Sequence, residues 1–196
     1  MKKGRIEAFS DGVIAIIITI MVLELKVPHG DSIKDLFPLL SVFLSYVLSF
    51  IYVGIYWNNH HHMFMVVNKV NGAVLWANMH LLFWLSMIPF ATSWMGENHF
   101  TSAPTALYGF VMLMNAIAYT ILSMILVKHH GENSLLSRAL GSDFKGKISL
   151  ACYIIAIPCA FVHTLISGTL FVLVALLWLI PDKRIERVIH EEDENG

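Results

Sequence analysis

Six times along this chain of 196 residues there recurs an apolar run close to the length that an α-helix needs to cross a bilayer, about 20 residues for a hydrocarbon core about 30 Å thick. The runs are Ile6–Leu25, Leu36–Trp57, Ala73–Met95, Thr105–Val127, Ile148–Leu165 and Gly168–Ile180. No water inside a bilayer satisfies backbone N–H and C=O groups, so such runs must pair their own and fold as helices. Composition agrees: 57% of residues are hydrophobic and 14% charged, against about 45–50% and about 25% in soluble domains. The predicted class is an all-α membrane protein with six transmembrane helices. Only His163–Ser167 separates the last two runs, which predicts a tight helical hairpin, and Pro158 is expected to kink the fifth helix.

Translocation of lysine and arginine is disfavoured, so these residues collect on the cytoplasmic side. With six crossings, Lys2, Lys3, Arg5, Lys69, Lys128, Arg138, Lys145, Lys147, Lys183, Arg184 and Arg187 fall on one side, and Lys26 and Lys34 on the other, 11 against 2. Both termini are therefore expected in the cytoplasm. Residues 1–181 read as one six-helix unit, and 182–196 as a short charged cytoplasmic tail ending in the acidic run 191–194. The longest polar connection, His129–Gly146, reads as a cytoplasmic linker with a short helix around Leu135–Leu140. Arg5 leads into Phe9–Leu25 without a small-residue cleavage site, so the amino-terminal helix is expected to be retained. A net charge of −1 and dispersed basic residues offer no field for nucleic acid. Cys152 and Cys159, seven apart in one apolar run, suit packing rather than a disulfide framework or a zinc site.

The first run differs from the others. It carries ionisable residues near both ends, with the β-branched series Val13, Ile14, Ile16, Ile17, Ile18, Thr19, Ile20 between them. At 100° per residue, Arg5, Phe9, Gly12, Ile16, Thr19, Ile20, Leu23 and Val27 fall on one stripe, and Asp11 points roughly away from it. Two readings of the stripe are open: it faces lipid or a neighbouring helix, or copies of it surround an axis. In the second, Ile16 and Leu23 form rings that gate by dewetting, and Thr19 offers oxygens to a partly dehydrated ion. An acid inside a span needs a partner, so Asp11 is assigned to an interhelical network with Arg5 or polar groups of other helices. Glu24 would sit at the outer mouth, where a ring of carboxylates concentrates cations.

Arg5, Phe9, Ser10 and Asp11 stand in R-I-E-A-F-S-D, which resembles the R-x-x-x-F-S-D signature of the transmembrane protein 175 family of potassium channels. Trp57 and His60 in Y-W-N-N-H-H-H-M-F match a W-x-x-H pattern ahead of a phenylalanine, and Asn78 followed by I-P-F at Ile88, Pro89 and Phe90 extends the likeness through roughly the first half of the chain. The resemblance implies a six-span unit whose signature helix lines the pore, without a T-V-G-Y-G filter loop, and assembly of single-unit chains as homotetramers. By position after the F-S-D motif it places Ile16 at the hydrophobic constriction and Thr19 or Ile20, with Leu23, at neighbouring layers. Arg5, Phe9, Ser10, Asp11, Trp57 and His60 are then expected to form a packing and hydrogen-bond network near the cytoplasmic end, joined by Asn78. Ala15 stands where some members place a serine beside the constriction, which removes that hydroxyl from the selectivity apparatus.

The function so implied is a potassium channel of the bacterial plasma membrane, passing potassium in preference to sodium by partial dehydration, with the ion as cargo and no cofactor. Two other classes compete. A secondary transporter would show inverted repeats or a broken helix with ionisable groups at mid-membrane, where this sequence offers Thr19. A metal-binding membrane protein would use His60, His61, His62 and His80, but consecutive helical residues splay by about 100°, so three in a row cannot chelate one ion from one face. His80 and His163 are expected to pair singly with a carbonyl or hydroxyl.

Overall fold

A computed structural model describes residues 3–67, 69–131 and 143–179 of the chain. The short helix anticipated around Leu135–Leu140 and the tail at 182–196 lie outside the described residues. The elements are α1 (Gly4–Leu23), a 3-10 helix (Ile33–Leu39), α2 (Leu40–Met65), α3 (Gly72–Ser86), α4 (Ile88–Glu97), α5 (Ser102–His130), α6 (Phe144–Val162) and α7 (Thr164–Leu179). Five segments are long and apolar enough to span a membrane, taking the 3-10 helix with α2 and α3 with α4, and α7 is a shorter apolar helix. The protein is thus a multi-pass, all-helical membrane protein over the described residues.

Three of the expected runs change shape. The third is two consecutive helices, because Pro89 in the first turn of α4 has no N–H to return to α3 and the ladder breaks at Met87. The amide of Asn115 on α5 donates to the Trp84 carbonyl at 3.1 Å beside that break. The second run continues as helix eight residues past Trp57, so the three histidines lie on α2 rather than beyond it. Hydropathy falls there, yet the helix continues: buried His60 is bonded by Asn78 of α3, and Asn59 donates to the Ile55 carbonyl of its own helix at 2.8 Å. The hairpin between α6 and α7 turns at His163 alone instead of over His163–Ser167. Its two arms are tied by Ser167 Oγ donating to the Ala156 carbonyl at 2.7 Å and by Trp178 Nε1 donating to Ser149 Oγ at 2.8 Å. Pro158 lies within α6, which runs on to Val162.

Small and hydroxylated residues let the helices approach closely, as expected where lipid removes the hydrophobic drive between helices. Ser45 and Ser49 of α2 are buried against α4 and α5. Ser49 Oγ donates to Tyr108 Oη at 3.1 Å, and Thr92 Oγ1 of α4 lies 2.7 Å from both Ser49 Oγ and its own Ile88 carbonyl. Gly96 sits where α4 crosses α2: a Cβ there would lie 2.8 Å from Val42 Cα and run into Ser45 Oγ. Gly96→Val is expected to force the two helices apart and cost about 1–3 kcal/mol, read as a lowered thermal midpoint of the purified protein.

Contacts sort the connections into two ends. At one end Lys3 Nζ donates to the carbonyls of Phe64 and Met65, at 2.8 and 3.0 Å, and Asn71 pairs with His129. At the other, Lys26 meets Glu97 and Ser41 meets His99. The alternating direction of these helices brings Lys3 and the carboxyl-terminal end of α7 to the same end.

Candidate functional site

The buried face of α1 is Ile6, Ser10, Ile14, Ile17 and Met21, spaced by three and four residues, and it packs on α2, α3 and α4. Nothing in the described chain covers the opposite face. Ile16 is 59% exposed and Leu23 75%, with Phe9, Gly12, Thr19 and Ile20 also exposed along the same stripe. Exposed apolar residues of that size on a membrane helix require lipid or protein outside the subunit. Thr19 Oγ1 donates its proton to the Ala15 carbonyl at 2.9 Å, so the hydroxyl oxygen turns its lone pairs outward as an acceptor.

The motif residues divide into two hydrogen-bonded sets. Trp57 Nε1 of α2 donates to Asp11 Oδ1 at 3.0 Å on the flank of α1, and the Trp57 ring stacks on His61 with centroids 5.9 Å apart. Deeper in, Asn78 of α3 donates through Nδ2 to Ser10 Oγ at 3.0 Å while its Oδ1 lies 2.8 Å from His60 Nε2. With the Asn78 oxygen facing it, His60 carries its proton on Nε2. Ser10, His60 and Asn78 are all buried, and His60 stacks on Phe64 at 4.5 Å. Three helices are thereby fixed by one amide, which explains why a serine, a histidine and an asparagine lie in otherwise apolar surroundings.

Arg5 and Phe9 stand outside these bonds. They are exposed and line, with Ile6, Leu75, Asn78 and Met79, an open groove of about 270 Å³ between α1 and α3. Glu24 closes the other end of α1, accepting a long hydrogen bond of 3.5 Å from Ser93 of α4 beside a groove of about 320 Å³ that Ile20, Pro89 and Phe90 also line.

Several residues that the sequence did not single out hold this arrangement. Lys3 clamps the end of α2, Asn115 occupies the break at Met87, and Glu97 holds Lys26. The partners of Lys3 and Lys26 are 61 and 71 residues away, so no local spacing announces them. His80 accepts from Trp84 Nε1 at 3.0 Å and His163 Nδ1 from the Leu165 amide at 3.3 Å, indole and backbone donors in place of the expected carbonyl or hydroxyl. Among the described residues no three of His, Cys, Asp and Glu converge on a position where one metal ion could be held.

An all-helical, multi-pass membrane protein whose first helix leaves an apolar face uncovered defines the class. Residues 5–89 match the family described as endosomal/lysosomal potassium channel TMEM175. A relative from Chryseobacterium sp. (strain P1-3), named as a potassium channel, is 59% identical over 191 residues, covering 97% of this chain and 100% of the relative. Another named potassium channel, from Streptomyces collinus, is 36% identical over 129 residues, or 62% of this chain and 63% of that one. The human relative, named endosomal/lysosomal proton channel TMEM175, is 36% identical over 103 residues, 46% of this chain and 20% of its own length. The crystal structure of a lysosomal potassium-selective channel TMEM175 homolog from Chamaesiphon minutus superposes with a TM-score of 0.78 at 26% identity, over 92% of this chain and 97% of that one. The chain belongs to the TMEM175 family.

Proposed function

We propose that this potassium channel works as a homotetramer in which the exposed stripe of α1 from each subunit surrounds a single axial pathway. It is a channel, not an enzyme, and potassium is its cargo. The observation that carries the reading is the uncovered face of α1: the most exposed large apolar residues of that helix, Ile16 and Leu23, fall on the stripe that the signature motif opens. Four such faces closing on an axis bury that surface from lipid and present Ile16 as an apolar constriction, with Thr19, Ile20 and Leu23 as successive layers above it. Selectivity for potassium over sodium then follows from the lower cost of stripping water from the larger ion, assisted by the outward oxygens of Thr19, without a carbonyl cage.

In the same reading, Ser10, Asp11, Trp57, His60 and Asn78 hold α1 at a fixed rotation so that Ile16 meets the axis, and Arg5 and Phe9 fill the contact with the neighbouring copy. Glu24 stands at the outer rim. The lysine and arginine asymmetry supports a cytoplasmic position for both termini, and the bacterial relatives support a bacterial plasma membrane. Residues 1–181 form the channel unit and 182–196 its cytoplasmic tail.

Cysteine substitution tests the axis. In a background of Cys152→Ala and Cys159→Ala, Leu23→Cys is expected to form disulfide-linked subunit pairs under mild oxidation, and a charged thiol reagent is expected to block its current. The lipid-facing control Phe161→Cys should do neither. A Leu23→Cys protein that neither cross-links nor is blocked would place α1 away from the axis.

A further inference from the structure

We propose that Glu97 is a positioning residue for conduction: by pairing with Lys26 it leaves the Glu24 carboxylates as the uncompensated charge of the outer rim. The proposal rests on the reading of α1 as the pore-lining helix. Glu24 and Lys26 follow directly on α1, so copies of α1 around an axis would bring equal numbers of carboxylates and ammonium groups to one mouth. Counted by themselves, the two rings cancel.

The structure separates them. Lys26 Nζ donates to Glu97 Oε1 at 2.9 Å, and Glu97 is the last residue of α4. The carbonyls at a helix carboxyl terminus carry partial negative charge, which adds to the hold on the ammonium group. Glu24 turns instead to Ser93, one turn earlier on α4. The hydrogen bond and charge of Glu97, with a smaller contribution from Glu24, raise the Lys26 pKa above its ordinary value, so the ammonium group is charged throughout the physiological range. Asp31, Lys34 and Asp35 in the connection that follows sum to one further negative charge, so the rim as a whole is acidic once Lys26 is matched.

The side chains of Lys26 and Glu97 are 73% and 45% exposed, and an exposed pair of that kind adds little to stability. What it controls is the local field, and a field of this range acts on a passing ion without contact. At about 20 mM salt, charges are felt over about 20–30 Å, and at about 1 M over about 3 Å. Glu97→Gln removes one negative charge per subunit and frees Lys26 to swing over Glu24.

The test is potassium conductance of single channels in planar bilayers for wild type, Glu97→Gln, Lys26→Gln and the double variant. Glu97→Gln is expected to lower conductance about two- to fivefold at about 20 mM potassium chloride and to match wild type at about 1 M. Adding Lys26→Gln to it is expected to restore conductance at low salt, a rescue that a merely structural defect would not show. Glu97→Gln that conducts like wild type at low salt, or that stays low at high salt or without rescue, overturns the proposal. A wild-type protein without potassium current overturns the pore reading, and this proposal with it.

Discussion

Ile16→Asn is expected to raise potassium flux about tenfold or more and to weaken the preference over sodium. Fully burying an isoleucine side chain away from water is worth about 1.5–3 kcal/mol, and a ring of them sets the cost of wetting the constriction. Each 1.4 kcal/mol taken off a barrier is about tenfold in rate, so an amide that holds water at even one position is enough for the predicted rise. The dehydration step on which selectivity depends is relaxed by the same change, because an ion passing a hydrated ring keeps more of its own shell. Because Ile16 is 59% exposed in the subunit and is not among its buried core residues, the substitution is expected to leave the fold intact. Flux into liposomes, with potassium and sodium compared, reads both effects. Unchanged flux would put the constriction elsewhere on α1.

Asn78→Ala is expected to destabilise the protein by about 3 kcal/mol, because two desolvation penalties fall on one substitution. It strips partners from two buried groups at once, His60 Nε2 and Ser10 Oγ, and an unsatisfied buried polar group costs about 1–3 kcal/mol, with no water in the bilayer interior to relieve it. The same asymmetry predicts that removing the whole set is milder than removing its centre: Ser10→Ala, His60→Leu and Asn78→Leu together should recover part of the loss. Trp57→Phe, which gives up one exposed bond to Asp11, should cost about 1 kcal/mol. Thermal midpoints of the purified variants check the order. A midpoint for Asn78→Ala equal to wild type would show that the three residues do not hold α1.

How much of this is legible in the sequence follows from the range of the forces involved. Hydropathy over about 20 residues finds the crossings because lipid acts on each helix separately, and helical phase finds the exposed stripe of α1 because its buried residues recur by threes and fours. The need of Asp11 for a partner is readable from the cost of an acid in a span; that Trp57 shares its network comes from the resemblance and not from spacing, and that the bond joins these two directly is seen only in the structure, since they are 46 residues apart. The end of α2 escapes the hydropathy pattern because polarity at Asn58–His62 resembles a loop until the partner helices are known. The break at Met87 has a local signal in Pro89, and its consequence needs Asn115 on another helix. Lys26 and Glu97 are individually ordinary surface residues, and only their approach across 71 positions gives the outer end its charge pattern.

Passive potassium movement through the purified protein tests the central claim most directly. In liposomes under an imposed gradient, comparing potassium, sodium and a large organic cation, potassium flux should exceed sodium flux, the large cation should be excluded, and dissipation should proceed with no second ion required. Absence of flux, or flux strictly tied to the movement of another ion, would contradict it.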